Sequence, residues 1–273
     1  MLETPVLVTG ANGQVGRRVL KAWKRERPSF HVAAVARDSG PMWQAWTPDM
    51  PPVVSQARAV VGLWGVCFGT LEETRVNLDL ARAAQSLATQ TGADRVIHLS
   101  TQSVYGRSCL LARETQVLTP ASPYGQAKAE MEDMLRGTDG PRPIILRVAN
   151  VIGADAISRS LAGTAPIVLD RFSDGSGPVR SFVGIADLAR IVAALCTCPL
   201  EDCPDILNVA APVDLPMNAI LDAAERDFHW KEAPEGALPV ATVSTQKLQQ
   251  SWLPQPQACR AEALYHDWQM FRD

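Results

Sequence analysis

Two stretches of the sequence set side by side residue types that can do chemistry. Tyr124-Gly-Gln-Ala-Lys128 places a phenol and an ammonium one helical turn apart on one face. A free tyrosine ionises near pH ~10, so it exchanges protons poorly at neutral pH unless positive charge lies close by. Lys128 would supply such charge and make the pair a candidate for moving a proton on and off an oxygen atom. The second stretch is Gly10-x-x-Gly13-x-x-Gly16, directly after the apolar run Val6-Leu7-Val8. Glycines at this spacing permit a tight turn, close approach of the backbone to a pyrophosphate, and close packing of the next helix on the strand. The N-terminus of that helix favours phosphate charge. A plain strand-to-helix turn is the alternative.

The elements that must position these groups are legible in outline. Val6-Leu7-Val8 reads as a buried strand, the residues from the turn to about Trp23 as a helix, and His31 to Val35 as a second strand. That order opens a parallel sheet. Between Ser39 and Ser55, Pro41, Pro48, Pro51 and Pro52 reduce the expected next helix to a loop. Trp43 and Trp46 in this loop pack over a sheet edge or flank a nucleotide base. Ala59 to Leu63, Val96 to Leu99, Ile144 to Arg147 and Ile206 to Val209 read as further strands. Amphipathic patterns predict helices over Glu72 to Gln90, around Tyr124 and Lys128, over Ala186 to Leu195 and over Met217 to Arg226, with a further helix after Pro256. His98, inside an apolar strand, reads as a core histidine rather than a ligand.

The remaining composition excludes several classes. The chain has 273 residues, 47% apolar and 20% charged, with 26 Lys and Arg against 29 Asp and Glu, which suits a globular protein with a sizeable core. A net charge of −3 gives no electrostatic footprint for nucleic acid or an anionic membrane. The opening Met-Leu-Glu-Thr-Pro lacks the basic region of a signal peptide, and no apolar run reaches membrane-spanning length, so a cytoplasmic protein is expected. The six cysteines are scattered over the chain and read as free thiols. Cys196-Thr-Cys198 with Cys203 lacks a paired C-x2-C or nearby histidine, so no metal is expected there.

Beyond these readings, the glycine pattern resembles the short-chain dehydrogenase/reductase superfamily, whose extended branch carries V-T-G-x-x-G-x-x-G at its start. Leu99-Ser-Thr101-Gln-Ser-Val-Tyr105-Gly resembles the SS/T-x-x-VYG segment of that branch's NAD-dependent epimerase/dehydratase group. Asn77, Trp64-Gly65-Val66, Glu114 with Pro120, Leu146 to Gly153 and Asp174 to Ala189 resemble further motifs of the group in the right order. The resemblance implies an α/β fold: a doubly wound parallel sheet (Rossmann fold) with a small C-terminal substrate lobe. Residues 1–151 and 180–211 would form the cofactor domain, and 152–179 with 212–273 the lobe. It implies catalytic roles for Thr101, Tyr124 and Lys128. Thr101 would hydrogen-bond the substrate oxygen, Tyr124 would exchange its proton, and Lys128 would bind the nicotinamide ribose and, with the charge of an oxidised nicotinamide, lower the Tyr124 pKa. Gly10, Asn12, Gly13, Gln14, Val15 and Gly16, with Trp64 and Lys128, would hold the cofactor, and a homodimer would form through helices 72–90 and 123–136.

Departures from the pattern narrow the reading. Ala36-Arg37 follows the second strand where an NAD site places a carboxylate, and a guanidinium suits a 2′-phosphate. NADP is therefore expected ahead of NAD, with Asp38 keeping NAD open. Gln102 and Ser103 stand where dehydratases carry an Asp-Glu pair, and neither performs acid–base work near neutral pH, which argues against dehydration. Trp64 replaces a small residue at the cofactor's edge. Arg180 falls on an arginine that binds diphosphate in family members, or makes a structural salt bridge; Asn150 and Gln102 border the substrate. The short segment between Arg147 and Asp187 favours a small substrate. The expected function is NAD(P)-dependent hydride transfer at a carbonyl or hydroxyl carbon of a sugar-like or other small substrate. The alternatives are a sugar or nucleotide-sugar 4-epimerase with tightly bound NAD, and a non-catalytic dinucleotide sensor.

Overall fold

The computed structural model describes residues 4–272, Ser108 by its backbone alone; the first three residues of the N-terminal stretch considered above lie outside it. Strand β1 (Val6–Thr9) is buried along its whole length. It passes through the glycine turn into α1 (Gln14–Glu26), whose buried Val19, Leu20, Ala22 and Trp23 face the sheet. The helix stops at Arg27, in the left-handed region with φ 52°, just before Pro28. Next come β2 (Val32–Ala36), the two-residue β3 (Gln44–Ala45) in the proline-rich loop, and the buried β4 (Ala59–Gly62).

The single helix expected over Glu72 to Gln90 is in fact two, α2 (Leu71–Thr74) and α3 (Val76–Thr91). Thr70 starts the first with a capping box: its Oγ1 accepts from Glu73 N at 3.2 Å and the Glu73 carboxylate accepts from Thr70 N at 2.7 Å. Then β5 (Arg95–Thr101) runs through a 3-10 segment at Gln102–Ser108 toward α4 (Pro123–Arg136). Ser122 caps α4, accepting from Gly125 N at 3.1 Å, with Pro123 in the first turn. β6 (Arg142–Val148) follows, then β7 (Asn150–Val151), α5 (Ala156–Ala162), β8 (Ile167–Arg171), β9 (Val179–Arg180) and β10 (Phe182–Val183). Helix α6 (Ile185–Thr197) and β11 (Ile206–Val209) return to the main sheet. The chain ends with β12 (Leu215–Pro216), α7 (Met217–Ala223), β13 (Phe228–Glu232), β14 (Val240–Ala241), α8 (Gln246–Gln249) and α9 (Ala261–Phe271). Helix α7 is shorter than expected, because Glu225 takes a left-handed conformation with φ 49°.

The main sheet has seven strands in the order β11-β6-β5-β4-β1-β2-β3, all parallel. From β1 the chain winds outward through β2 and β3, then crosses to β4 and winds outward the other way. The strands diverge between β1 and β4, and at such a reversal the carboxyl ends of an open α/β sheet form a crevice. Helices α1 and α6 cover one face with Val19, Trp23, Leu188 and Ile191. The other carries Ala84, Leu87 and Ala88 of α3, and beside them Met131 and Leu135 of α4. A second apolar cluster gathers Ile157, Leu169, Phe182, Leu221, Leu264 and Trp268 from α5, β8, β10, α7 and α9. Among the described residues, no helix is long and apolar enough to cross a membrane.

Candidate active site

The glycine turn lies at the reversal point. Gly10 has φ 73°, and a Cβ there would sit 2.4 Å from the Trp64 backbone nitrogen. A Cβ on Gly16 would sit 2.1 Å from the Gly10 carbonyl oxygen, so the start of α1 presses directly on the turn. No side chain caps α1, because Gly13 occupies the cap position. Its first N–H groups therefore face the crevice without a built-in anion. Asn12 and Val15 are half-buried and Gln14 is exposed, its carboxamide oxygen accepting from Arg18 at 2.5 Å. Arg37 is exposed immediately after β2.

The loop after β4 is the opposite wall. Asn77 pins it from α3: its Nδ2 donates to the Val66 carbonyl at 2.9 Å and its Oδ1 accepts from Val66 N at 3.2 Å. Trp64 does not lie across the glycine turn. Its indole folds back over Gly62 and stacks on Trp46, with ring centroids 6.1 Å apart and planes 29° from parallel. Trp46 itself is buried in the core under α3. Beyond the clamp, Phe68 of the same loop meets the Arg159 guanidinium of α5, 4.8 Å from the ring centroid.

Strand β5 and helix α4 carry the residues expected to react. Thr101, the last residue of β5, is buried, with its Oγ1 3.2 Å from Ser103 Oγ and accepting from Ser103 N at 3.1 Å. The Tyr124 hydroxyl lies within hydrogen-bonding reach of Thr101 and of the Cys67 thiol. Lys128, one turn further along α4, is buried and donates from Nζ to the Leu99 carbonyl at 2.7 Å. Thr101, Tyr124 and Lys128 thus converge at the carboxyl end of β5. Cys67, read from the sequence only as a scattered thiol, joins them; its position three residues after Trp64 in the loop was the available signal.

Burial pushes Tyr124 well above its usual range, the neighbouring Cys67 adds to the rise, and the Thr101 hydroxyl opposes it. Burial also pulls Lys128 down to about 8, against the opposite pull of Cys67 and Glu132. In the chain alone Lys128 is not among the causes of the tyrosine's shift, and its ammonium is turned to the Leu99 carbonyl. As the chain alone presents it, Tyr124 is a protonated donor. The expected core histidine, His98, is buried 3.3 Å from the Gln85 carboxamide and held down at about 3 by desolvation and then by Lys128.

Of the residues assigned to substrate, Gln102 directly follows Thr101 in the chain. Gln102 is buried, and its side-chain oxygen has no partner among the described residues. Asn150 Nδ2 donates to the Ser181 carbonyl at 3.0 Å. Among the described residues Arg180 makes no salt bridge; its guanidinium donates to the carbonyls of Val179, Leu238 and Pro239 at 2.7, 2.9 and 3.3 Å. Two grooves, of about 530 and 500 Å³, lie away from Thr101, one beside the end of α1 and one between β8 and β13.

Beneath the cluster runs a buried polar network that sequence reasoning saw only as separate motifs. Arg147 and Glu132 pair at 2.7 Å with both side chains almost fully buried. Ser100 Oγ donates to Glu132 at 2.5 Å, and Arg147 donates to the Tyr105 hydroxyl at 2.9 Å and the Glu114 carbonyl at 3.0 Å. Tyr105 donates to Asn208 at 2.7 Å, whose backbone N–H donates to Glu114 at 2.9 Å. Glu132 and Asn208 were not foreseen. An arginine inside an apolar strand, at Arg147, was the sign that a buried carboxylate had to exist.

The family model for the NAD dependent epimerase/dehydratase family matches residues 6–210. The chain belongs to this family. It is 27% identical over 234 residues to a dTDP-6-deoxy-L-talose 4-dehydrogenase (NAD(P)(+)) of Kitasatospora kifunensis, covering 75% of this chain and 73% of the relative. Among solved structures it resembles a UDP-glucuronic acid 4-epimerase from Bacillus cereus in complex with UDP-glucuronic acid and NAD, at TM-score 0.78 and 18% identity over 97% of this chain and 99% of the other. A short-chain dehydrogenase/reductase superfamily protein from Agrobacterium tumefaciens with bound NAD gives TM-score 0.78 and 17% identity over 97% and 96%. These two likenesses are of fold. The seven-stranded parallel sheet is the fold expected from the glycine turn. In this family of NAD(P)-dependent enzymes the turn at Gly10, too tight for any side chain, and the uncapped start of α1 fit a dinucleotide pyrophosphate.

Proposed function

We propose that the chain is an NAD(P)-dependent oxidoreductase acting at a carbonyl or hydroxyl carbon of a sugar-like substrate. The convergence of Thr101, Tyr124 and Lys128 at the carboxyl end of β5 carries this reading. The bound cofactor would supply or take up the hydride. Tyr124 would give or take the proton on the substrate oxygen, and its raised pKa suits the donating direction. Thr101, within reach of the same hydroxyl, would hold that oxygen in place. Gly10, Asn12, Gly13, Gln14, Val15 and Gly16 would hold the pyrophosphate, and Lys128, with the loop at Trp64, the nicotinamide ribose end. Arg37, exposed after β2 beside a position with no carboxylate, supports NADP ahead of NAD.

The substrate would lie against Gln102, Asn150 and Arg180, with the second apolar cluster organising the lobe of residues 152–179 and 212–273 around it. The name of the Kitasatospora relative supports oxidation and reduction at a ring carbon of a deoxysugar. Gln102 and Ser103 remain unsuited to removing water. A homodimer through α3 and α4 belongs to the same proposal, and the mass in solution tests it.

Tyr124→Phe is the direct experiment. Turnover on a panel of sugar carbonyls and polyols should fall by about 10²–10⁴-fold while titrated NADPH binding stays within error. Unchanged turnover would overturn the assignment, and NADH bound more tightly than NADPH would overturn the reading of Arg37. Oxidised cofactor that survives desalting would move the function to epimerisation.

A further inference from the structure

The cysteine cluster near the end of α6 lies at the far end of the sheet from the crevice. Cys198 caps α6, with its N–H donating to the Ala194 carbonyl at 3.0 Å, and Cys203 ends the 3-10 turn before β11. The two sulfurs are 3.0 Å apart, and both residues are at least nine-tenths buried. Arg95, the first residue of β5, reaches between them: its Nη1 lies 3.5 Å from the Cys198 sulfur and 3.3 Å from the Cys203 sulfur. The same nitrogen donates to the carbonyls of Leu195 and Cys198 at 3.0 and 2.8 Å, and Asp94 pairs with Arg95 at 2.7 Å. Burial pushes the Cys198 thiol up to about 12, the neighbouring Cys203 adds to the rise, and the Arg95 guanidinium, which would repel a metal cation, opposes it. Among the described residues, no three or more potential ligands gather for a metal.

We propose that Cys198 and Cys203 are a dithiol site that hydrogen peroxide converts into an intramolecular disulfide. The Cys198 sulfur, the more accessible of the two at 9% against 3%, attacks the peroxide oxygen. The O–O bond breaks, the thiol proton leaves with the departing oxygen as water, and Cys198 becomes a sulfenic acid. The Cys203 sulfur then attacks the Cys198 sulfur. The S–S bond forms, the S–O bond breaks, and the second thiol proton leaves with that oxygen as another water. Two thiols are thereby oxidised by two electrons and one peroxide is reduced to two waters. Closing from 3.0 Å to a disulfide needs a movement of only about 1 Å. The bond would tie the end of α6 to the start of β11, the length of the seven-residue β5 away from Thr101, about 20 Å. Its signature is therefore thermal stability rather than turnover, and it rests on no reading of the active site.

The test treats the full chain with hydrogen peroxide, blocks remaining thiols with N-ethylmaleimide and digests without reduction. A glutamyl-specific protease cuts after Glu201, between the two cysteines. The expected result is that the fragments carrying Cys198 and Cys203 stay joined until a reductant is added, with Cys196 alkylated. Peroxide should also raise Tm by up to about 5 °C, and Cys203→Ser should abolish both effects. Cys196→Ser should leave both intact, which keeps the test sound should Cys203→Ser fold poorly. Fragments that separate without reductant, or a bond from Cys198 or Cys203 to any other cysteine, would overturn the site. Oxidation of the exposed Cys67 is read on its own peptide and does not enter the result.

Discussion

Helix α4 buries two charges one turn apart, and they are treated in opposite ways. Glu132 meets Arg147 through both carboxylate oxygens and takes a further hydrogen bond from Ser100. Lys128, just as buried, faces the Leu99 carbonyl at 2.7 Å and a methionine sulfur at 3.6 Å, and its ammonium is destabilised until it titrates near about 8. A buried charge that is fully paired is a structural joint. One left half-satisfied costs stability and is kept where a ligand group will complete it. On one helix, the turn nearer the crevice leaves its charge half-satisfied and the next turn pairs its charge within the scaffold under it.

The sharpest way to break this contrast is Glu132→Ala, which strands the Arg147 guanidinium in the core. Removing one partner of a buried pair costs about 3–5 kcal/mol, so Tm should drop by roughly 10 °C. The double change Glu132→Leu with Arg147→Met should recover most of that loss, since it leaves no unpaired charge. A single variant that melts within a degree of the parent would show that the network carries no weight.

Lys128→Met should do the reverse. The folded pKa of about 8 lies below the unfolded value, so the chain carries the cost of a buried ammonium at every pH below about 8. That cost fades as pH rises toward about 10, because over this window the unfolded state holds the proton and the folded state releases it. At pH 7 the variant should gain about 2 kcal/mol, the cost of the charge less one lost hydrogen bond to Leu99. Its turnover should fall by about 10²-fold or more. Loss of stability together with turnover would mean that Lys128 is held by more than the Leu99 carbonyl, and the contrast with Glu132 would dissolve.

The parts legible in the sequence are those set by local pattern. The strands at Val6, Ala59 and, at the sheet's edge, Ile206 are near-continuous apolar runs, because a parallel sheet is covered on both faces. Tyr124 and Lys128 were visible because helical spacing alone brings them to one face. The start of α2 was written in the Thr70-x-x-Glu73 signature, whereas the break at Arg75 before α3 carries no side-chain cap. The pairing of β8 with β13 had no such sign: Ile167 and Phe228 meet across sixty residues of chain, and β13 is too exposed to alternate. Glu132 was hidden for a related reason. A glutamate on a helix reads as solvent-facing until the fold brings Arg147 against it, and the low-lying Lys128 titration depends on burial that spacing cannot report.

His98 extends the contrast to a third buried group and gives the smallest effect. It is fully enclosed beside Gln85, and its pKa of about 3 reflects desolvation first and the nearby Lys128 second. Below the unfolded value of about 6.5 the unfolded state takes up a proton that the folded state refuses, so stability falls as pH falls. Between pH 6.5 and 5 the loss should be about 1.5 kcal/mol. Burial raises Asp155, Asp214 and Asp267 and so works in the opposite direction at lower pH, which makes this upper window the informative one. His98→Leu should flatten the slope in urea titrations across the window even if its absolute stability is lower, since the slope counts protons and not contacts. In Lys128→Met the imidazole should titrate at a higher pH than in the parent, because the second cause of its depression has been removed. An unchanged imidazole titration would place the two groups out of electrostatic reach and return Lys128 to the role of a cation held by the strand alone.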